Sequence, residues 1–329
     1  MPLPTTLTVV PFTPASTATS SSTVFTEKII VTGDISHSSF HRAKEVAQAA
    51  AKLPNITTEF HALPQTAYTL RRHALQSSYS NLHASLFPHT LIELHSTTTT
   101  THKLVNRTRK TEAKTTKKLL NVADLVTYAE GKNVAMPKAT GDDVATKEHT
   151  RFLKSLGNPV VKIGFEAENA DGNGEFEPLG RDVLIELFAE TCPKTTRHFL
   201  QYVDGGQGGM SYLGSGVSRV VKGGWIECGE IRGPDGQLRT GNVLEDENFI
   251  HPHDPYTLHL IPSSSGPHTS TTPFMITTAA MPCFDKRYVA FGRVLEGLET
   301  LLAINGIECI HERPTRGIRI RDIEQWKEE

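Results

Sequence analysis

Few groups in this chain of 329 residues have the type and spacing that redox or metal chemistry requires. The four cysteines all lie in the C-terminal half and none forms a Cys-x-x-Cys pair; they are Cys192, Cys228, Cys283 and Cys309. This spacing fits neither a zinc site nor a disulfide framework. We therefore predict buried free thiols in a reducing compartment, and we expect no metal and no other cofactor.

Two further patterns look like ligand sites but have simpler explanations. The run His-Pro-His-Asp at 251–254 groups two imidazoles with a carboxylate, but the chain has 15 histidines, so such a grouping arises readily by chance. The run Gly-Gly-Gln-Gly-Gly at 205–209 lacks the Lys-Ser/Thr pair of a phosphate-binding loop. The second run is therefore predicted to be a flexible loop.

The composition is that of a globular protein with room for two domains of ordinary size. A net charge of −2 gives no general attraction to nucleic acid or to an anionic membrane. No apolar run approaches the ~18 residues that a membrane-spanning helix needs. Residues 1–26 are rich in Ser, Thr and Pro and contain no Lys or Arg, unlike a signal or transit peptide. The sequence thus predicts a cytoplasmic protein whose partners are proteins, not nucleic acids or membranes.

Behind the tail at 1–26, residues 27–130 alternate between strand and helix patterns. Strands are predicted at 28–32, 56–63 and 89–94, and helices at 38–52, at 65–77 and from a cap at Asn121 to Ala129. This order predicts a small α/β domain, similar to a thioredoxin or glutaredoxin fold. The turn before the first helix contains no cysteine, which excludes thiol redox chemistry for this domain and leaves a docking role.

Residues 96–118 interrupt that domain with five threonines at 97–101 and a basic stretch that follows them. A solvated loop is the simpler interpretation, and an electrostatic contact with an acidic partner is the alternative. Nucleic acid is not expected, because no aromatic residues interleave with the basic ones. Residues 131–157 are predicted to be a linker, with a short helix that stops at Gly157.

From Asn158 to Glu329 the pattern changes to alternating strands, with five motifs in a fixed order. They read Glu-Leu-Phe at 186–188 followed by Pro-Lys-Thr at 193–195, Glu-Asp-Glu-Asn-Phe at 245–249, Gly-Pro-His-Thr at 266–269, Phe-Met-Ile-Thr at 274–277 and Val-Ala-Phe-Gly-Arg-Val at 289–294. This region resembles the cyclophilins, the peptidyl-prolyl cis–trans isomerases. The resemblance implies a mainly-β closed barrel with capping helices over residues 158–329.

Three further strings resemble one branch of that family, the isomerase-like protein six branch of ciliated organisms. They are Gly-Trp-Ile at 224–226, the segment from Phe284 to Gly292, and Glu-Arg-Pro at 312–314. Members of this branch join a thioredoxin-like domain to a cyclophilin domain thought to be inactive, and are associated with motile cilia and flagella. The resemblance therefore implies protein partners in a large assembly such as the axoneme, and leaves binding of a proline-containing peptide open.

The resemblance also implies where the isomerase residues lie. Rotation about an X–Pro bond has a barrier of about 18–20 kcal/mol, which an isomerase lowers with a donor directed at the proline nitrogen and an apolar pocket for the ring. The family's donor arginine is kept as Arg219, but its glutamine partner is replaced by Glu227. We expect an ion pair between these two side chains, which would leave Arg219 vestigial.

The rest of the implied pocket departs from the family at most positions. Gly224 and Met275 replace the two pocket phenylalanines, and Phe284 and Tyr288 replace the family's leucine and histidine. The candidate pocket residues are Trp225, Glu227, Phe274, Met275, Phe284 and Tyr288. The peptide-binding strand would be completed by Ser263 and Ser264, after Pro262 has removed one backbone N–H.

These substitutions predict an interaction protein with a degenerate isomerase pocket. An active isomerase with altered specificity is the alternative, because Arg219 and the apolar Phe274, Met275 and Phe284 remain. A cyclophilin of the splicing type, bound to ribonucleoprotein, is disfavoured because the chain has no basic domain or RNA-binding motif.

Overall fold

The structure, a computed structural model, describes residues 21–76, 89–103, 109–137, 142–169, 171, 174–203, 205, 209–233, 235–262 and 266–327. Their contacts divide the chain into two compact units. The first consists of residues up to Val31 with 43–60 and 91–137, and the second of 32–42, 61–90 and 138–329. The domain boundaries inferred from the sequence, after residues 26, 130 and 157, stay predictions.

The N-terminal elements follow the predicted order and form one sheet of four strands, in the order β2-β1-β3-β4. The elements are β1 (Ser21–Asp34), α1 (Ser38–Ala50), β2 (Ile56–Leu63), α2 (Gln65–Gln76), β3 (Thr90–Lys103), β4 (Arg109–Leu120) and α3 (Val122–Gly131). Strand β1 begins at Ser21, inside the segment predicted to be a tail. Asn121 caps α3 as predicted: its Oδ1 accepts from Asp124 N at 2.8 Å, and Asp124 Oδ2 accepts from Asn121 N at 3.1 Å.

The prediction of a solvated loop at 96–118 was wrong, because most of these residues form a long β-hairpin. Strands β3 and β4 pair from Ile92 opposite Leu120 to Lys103 opposite Arg109. Threonine is β-branched and favours extended backbone, and facing threonines can bond across strands. The Thr97 and Thr115 hydroxyls do so at 3.0 Å. Because β4 lies at the edge of the sheet, its exposed lysines also disfavour pairing with another strand.

The second unit is built on a curled sheet, ordered β15-β5-β7-β12-β10-β11-β9-β8, with β6 paired to β5. Its strands are β5 (Val160–Glu168), β6 (Phe176–Pro178), β7 (Val183–Leu187), β8 (Arg219–Val221), β9 (Trp225–Cys228), β10 (Thr257–Pro262), β11 (Ser270–Thr277), β12 (Ala290–Glu296), β13 (Cys309–Ile310), β14 (Arg313–Pro314) and β15 (Ile318–Gln325). Its helices are α4 (Asp142–Ser155), α5 (Pro193–Val203) and α6 (Leu298–Gly306), with a 3-10 helix at Pro282–Phe284. Strands β13 and β14 form a separate small hairpin. Phe199 of α5 packs its ring on Phe274, Phe291 and Tyr212 in the core.

The sequence predicts a closed barrel, and this prediction was wrong: within the described residues the sheet is open, with β8 and β15 at its two ends. Segment 214–217 lies beside β15 but forms only one isolated bridge, Gly216 to Arg319. Single backbone bonds, such as Val217 N to Ile318 O at 2.8 Å, complete this contact. Gly214 in this segment has φ = 77°, outside the strand region, so no regular ladder forms. We call this contact the seam.

Two helices upstream of β5 pack on the sheet of the second unit. The side chain of Gln65, at the start of α2, accepts hydrogen bonds from Gly297 N at 2.9 Å and Leu298 N at 3.3 Å. It thereby caps α6, whose N-cap residue is a glycine without a side chain. Leu153 of α4, from the segment predicted to be a linker, is buried against Val160, Leu184 and Leu295.

Candidate functional site

Four neighbouring strands place one residue each in a row across the sheet. Arg219 of β8 faces Glu227 of β9, Glu227 faces Met275 of β11, and Met275 faces His259 of β10. Because side chains of facing residues lie on the same face of a sheet, the four form one continuous row. Phe274 precedes Met275 and therefore lies on the opposite face, where it is fully buried in the core. The structure does not bring Phe274 to the candidate pocket.

Two carboxylates hold the guanidinium of Arg219. Its Nε donates to Glu312 Oε2 at 2.6 Å, and one terminal nitrogen lies 2.5 Å from the same oxygen. Its other terminal nitrogen donates to Glu227 Oε1 at 3.2 Å, so the predicted ion pair is present. The hydrogen bond with Glu312, aided by the charge of Glu227, raises the pKa of Arg219 above its usual value. All three nitrogens of the guanidinium thus have carboxylate partners.

Sequence reasoning missed Glu312, which lies 93 residues from Arg219. Glu312 and His311 form the two-residue turn between β13 and β14, with φ angles of 66° and 48°. Such left-handed angles suit the tight turn of a hairpin but are unfavourable for residues with a side chain. The backbone oxygen of Glu312 also accepts from Val220 N at 2.7 Å. The turn is therefore attached to β8 at the position of the arginine.

Trp225 connects the ion pair to a set of aromatic rings. Its Nε1 donates to Glu227 Oε1 at 2.7 Å, and its ring lies 5.5 Å below the guanidinium of Arg219. Phe284, from the 3-10 helix, contacts Trp225 edge-on at 5.1 Å and Tyr288 at 4.9 Å. His259 lies 5.5 Å from Phe284 and 5.4 Å from Tyr288. We call Trp225, His259, Phe284 and Tyr288 the aromatic cluster.

A histidine–aspartate pair holds the segment that carries Phe284. Both the backbone nitrogen and Nδ1 of the buried His253 lie within 2.9 Å of Asp285 Oδ1. This hydrogen bonding lowers the pKa of Asp285, so the carboxylate stays charged. The ring of His253 in turn meets that of His259 at 4.8 Å and at a right angle. The pair therefore fixes Phe284 over His259.

His259 is fully buried, and neither of its ring nitrogens has a hydrogen-bond partner in the described part of the chain. Burial in this apolar surrounding, with the nearby His253, lowers the pKa of His259 well below its ordinary value. The ring is therefore neutral and packs largely as an apolar body. The sequence offered one signal for it: it lies three positions before Pro262, on the strand that runs into the predicted peptide-binding residues.

The remaining residues that the sequence places in the site lie at its edge, in a turn, or outside the described residues. Ser263 and Ser264 lie outside the described residues, and Pro262 ends β10 opposite Ser270 after a register shift. Gly224 is buried in the turn between β8 and β9, where an added Cβ would lie 3.1 Å from Val221 Cγ1. Glu227 and Met275 are in the row, and Trp225, Phe284 and Tyr288 are in the aromatic cluster. Five of the predicted pocket residues therefore lie together.

The sequence patterns that suggest metal chemistry are used for packing. His251 Nε2 bonds to Thr191 Oγ1 at 2.7 Å, and its ring lies 4.3 Å from that of Phe188. No group of three or more potential metal ligands occurs among the described residues. Cys192 and Cys228 are buried free thiols as predicted, whereas Cys283 is exposed and Cys309 is half-buried. None of the helices in the described ranges has the length and apolar content to span a membrane.

Replacing His259 tests the pH dependence that its burial implies. The folded pKa lies below the unfolded one, so the unfolded state binds more protons as pH falls below about 6.5. The free energy of unfolding should therefore fall over that range, by up to about 1.4 kcal/mol per pH unit for one histidine. We expect His259→Leu to reduce the slope of the unfolding free energy against pH, measured by urea unfolding from about pH 7 to about pH 5. The exposed His73, replaced by Gln, is the matched control, and equal slopes in the two variants would contradict the assignment.

Comparison of the sequence with known proteins gives matches to one family. Residues 175–325 match the family model described as cyclophilin type peptidyl-prolyl cis-trans isomerase/CLD. The chain is 38% identical over 189 residues to a protein of Bos taurus named "Probable inactive peptidyl-prolyl cis-trans isomerase-like 6", covering 54% of this chain and 58% of the relative. The protein of the same name from Homo sapiens is 36% identical over 196 residues, covering 56% and 60%.

A third relative, the "NK-tumor recognition protein" of Mus musculus, is 35% identical over 157 residues, which cover 44% of this chain and 11% of that protein. The chain thus matches about 58–60% of the length of the first two relatives. The motifs, the curled sheet and the family match all fall on the same part of the molecule. Residues 175–325 form a cyclophilin-type domain.

Proposed function

We propose that this protein is an interaction protein of the ciliary or flagellar axoneme, and that its cyclophilin-type domain has a degenerate isomerase pocket. The observation that carries the proposal is the pair of carboxylates on Arg219. Catalysis by a cyclophilin needs the guanidinium to donate to the proline nitrogen as the amide twists. Here Nε and both terminal nitrogens already have charged partners.

The two carboxylates bind the donors of Arg219 more strongly than the amide of a substrate would. Hydrogen bonds between ionised groups are roughly twice as strong as those between neutral ones. An amide nitrogen is neutral, so it competes poorly with the carboxylates of Glu227 and Glu312 for the same donors. With its charge largely compensated, the guanidinium also stabilises a twisted amide less.

The apolar part of the pocket also disfavours binding of a proline ring. A proline ring needs a surface to grip, and replacing a phenylalanine by Gly224 removes roughly 1.5–3 kcal/mol of possible burial. Phe284, larger than the leucine of the family, lies against Trp225 and His259 and occupies space near the row. Met275 is only 3% exposed. A ring that entered here would have to displace these side chains.

The N-terminal elements are consistent with a thioredoxin-like docking domain rather than a redox one. Their βαβαββα order, with β1 and β3 central in the sheet, supports that fold. In the turn where a redox protein has its cysteine, Asp34 Oδ1 accepts from Ser36 N at 3.0 Å, and Ser39 Oγ bonds to Thr90 Oγ1 at 2.7 Å. These bonds make a closed polar turn without a cysteine thiol.

The edge strand β4 is the part of that domain that best fits an acidic protein partner. Its exposed lysines include Lys114, Lys117 and Lys118, which follow one another along a two-stranded hairpin. Positive charges arranged in this way attract an acidic surface and speed association at low salt. The axonemal assignment itself rests on the resemblance to the isomerase-like protein six branch.

An active isomerase with altered specificity is the second candidate. One observation favours it: the side chain of Arg219 is 44% exposed, so solvent and a peptide can reach it. Under this alternative, substrate would displace Glu312, whose own side chain is 45% exposed.

Isomerase activity of the full chain on a short X-Pro peptide separates the two candidates. With the parent, we expect the peptide to isomerise between cis and trans at its spontaneous rate. A Glu227→Gln/Glu312→Gln variant should accelerate it measurably, because neutral amides hold the donors of Arg219 less tightly than carboxylates do. Adding Phe284→Leu to that variant should increase the gain. Arg219→Ala in the same background is the control and should return the rate to the spontaneous value. Turnover by the parent that Arg219→Ala abolishes would establish the active isomerase instead.

The axonemal part of the proposal needs a test of its own. A tagged full-length copy expressed in a ciliated cell should be found along the cilium and should remain there after detergent removes the membrane. A matched variant with Lys114, Lys117 and Lys118 changed to Gln should be extracted at lower salt. A signal confined to the cell body would contradict this part without affecting the proposal about the pocket.

A further inference from the structure

A polar cavity of about 560 Å³ lies beside the seam of the sheet, and none of the candidate pocket residues lines it. Its walls come from residue 211 and residues 213–218, 230–232 and 313–318. We propose that this cavity binds a phosphate monoester through Arg313 and Arg316. The proposal goes beyond the function proposed above and does not depend on it.

The charges around the cavity are unbalanced. Arg232, Arg313 and Arg316 line it, with Glu230 as the carboxylate among the lining residues. Glu230 is engaged by Arg232 at 3.3 Å. Arg316 donates to the neutral carbonyl of Glu168 at 3.2 Å, and neither Arg313 nor Arg316 makes an ion pair in the described part of the chain. Two guanidinium groups near one cavity thus remain without an ion-pair partner among the described residues.

The segment that carries these arginines is held in place at several points. Thr315 bonds through its backbone nitrogen and its hydroxyl to the carbonyl of Glu308, at 2.9 and 3.0 Å. Gly317 N donates to Glu168 Oε2 at 3.2 Å, and the Ile318 carbonyl accepts from Val217 at the seam. A backbone fixed in this way loses little freedom when a ligand binds, which favours affinity.

A buried hydroxyl at the same cavity lacks a partner. Ser215 is 6% exposed, and its Oγ makes no hydrogen bond to any described residue. Leaving a buried polar group unsatisfied is unfavourable, and a ligand oxygen would satisfy it after a small movement of the cavity wall that opens the hydroxyl, which is closed to solvent in the free protein. Ser215 precedes Gly216 in the irregular stretch of the seam, where the chain leaves regular strand geometry.

The chemistry of these groups selects the ligand. A guanidinium presents parallel N–H donors that match two oxygens of a phosphate, and two such groups favour a dianion over a carboxylate. The cavity is larger than a phosphate ion needs and is within the range of small-molecule sites, so room remains for the esterified group. A phosphorylated side chain of a partner protein and a free phosphate metabolite share this chemistry.

Binding of O-phosphoserine to the full chain, measured by calorimetry at low ionic strength, tests the proposal. Low salt is needed because screening weakens contacts to exposed charges. We expect binding of O-phosphoserine, none of serine, and a loss of at least about a hundredfold in Arg313→Gln/Arg316→Gln, since each of the two charge-assisted bonds lost costs about tenfold. Arg313→Lys/Arg316→Lys, which keeps the charge without the fork, should lose part of the affinity. Arg181→Gln, at an exposed arginine outside the cavity, is the matched control and should bind as the parent does.

Inorganic phosphate and a phosphoserine peptide distinguish the two sources of the ligand. A peptide that binds more tightly than the ion assigns the cavity to a phosphorylated partner, and equal affinities assign it to free phosphate; either supports the site. Thermal unfolding of each variant shows that it is folded. No binding by the parent, or equal loss in Arg181→Gln and in the double variant, would overturn the proposal.

Discussion

The ion pair network at Arg219 joins the paired strands β8 and β9 to a turn that lies 93 residues from Arg219 in sequence. Arg219 lies on β8, Glu227 on β9, and Glu312 on the turn after β13. A half-exposed guanidinium between two carboxylates is a modest source of stability, because solvent screens exposed ion pairs. Its larger effect is on chemistry: it places the one retained donor of the reaction under the control of its neighbours. The unfavourable backbone of His311 and Glu312 persists at this point, where the turn delivers the second carboxylate.

The aromatic cluster depends on the same arrangement. Trp225 donates to the carboxylate oxygen of Glu227 that Arg219 also uses, so the ion pair orients the indole. Phe284 then packs on Trp225, and His253 with Asp285 holds Phe284 from the other side. Under the proposed function, charge and packing act together: one set of substitutions occupies the donor, and the other fills the space that a proline ring would need. Changing both should therefore restore more activity than changing the charges alone.

The sequence predicted the parts of this molecule that follow from local patterns. The cap at Asn121 is predictable because an asparagine directly precedes the apolar pattern of a helix, and the ion pair of Arg219 with Glu227 because both lie in one recognisable motif. Glu312 was missed because its partner is distant in sequence and it lies in an irregular turn. Phe274 was placed in the pocket although it neighbours Met275 on one strand, and adjacent strand residues face opposite ways. That alternation was available in the sequence and would have excluded one of the two.

Long-range geometry explains the remaining differences. The sequence of the β3–β4 hairpin is typical of a loop, because its residues are polar on both faces of the strands. The strands are recognised only from their backbone pairing. Whether a curled sheet closes depends on the seam, where Gly214 leaves strand geometry and only Gly216 forms a bridge to β15. Neither feature has a hydrophobic pattern that periodicity can detect.

The Nε–Hε resonance of Arg219, recorded by ¹H–¹⁵N NMR on the full chain and assigned by its loss in Arg219→Lys, tests the central claim most directly. If Glu312 and Glu227 occupy the guanidinium, this proton exchanges slowly with water, and an excess of X-Pro peptide leaves its chemical shift unchanged. In Glu227→Gln/Glu312→Gln the same proton should exchange faster. A parent resonance that exchanges rapidly and moves with added peptide would show a donor available to substrate, and would contradict the account.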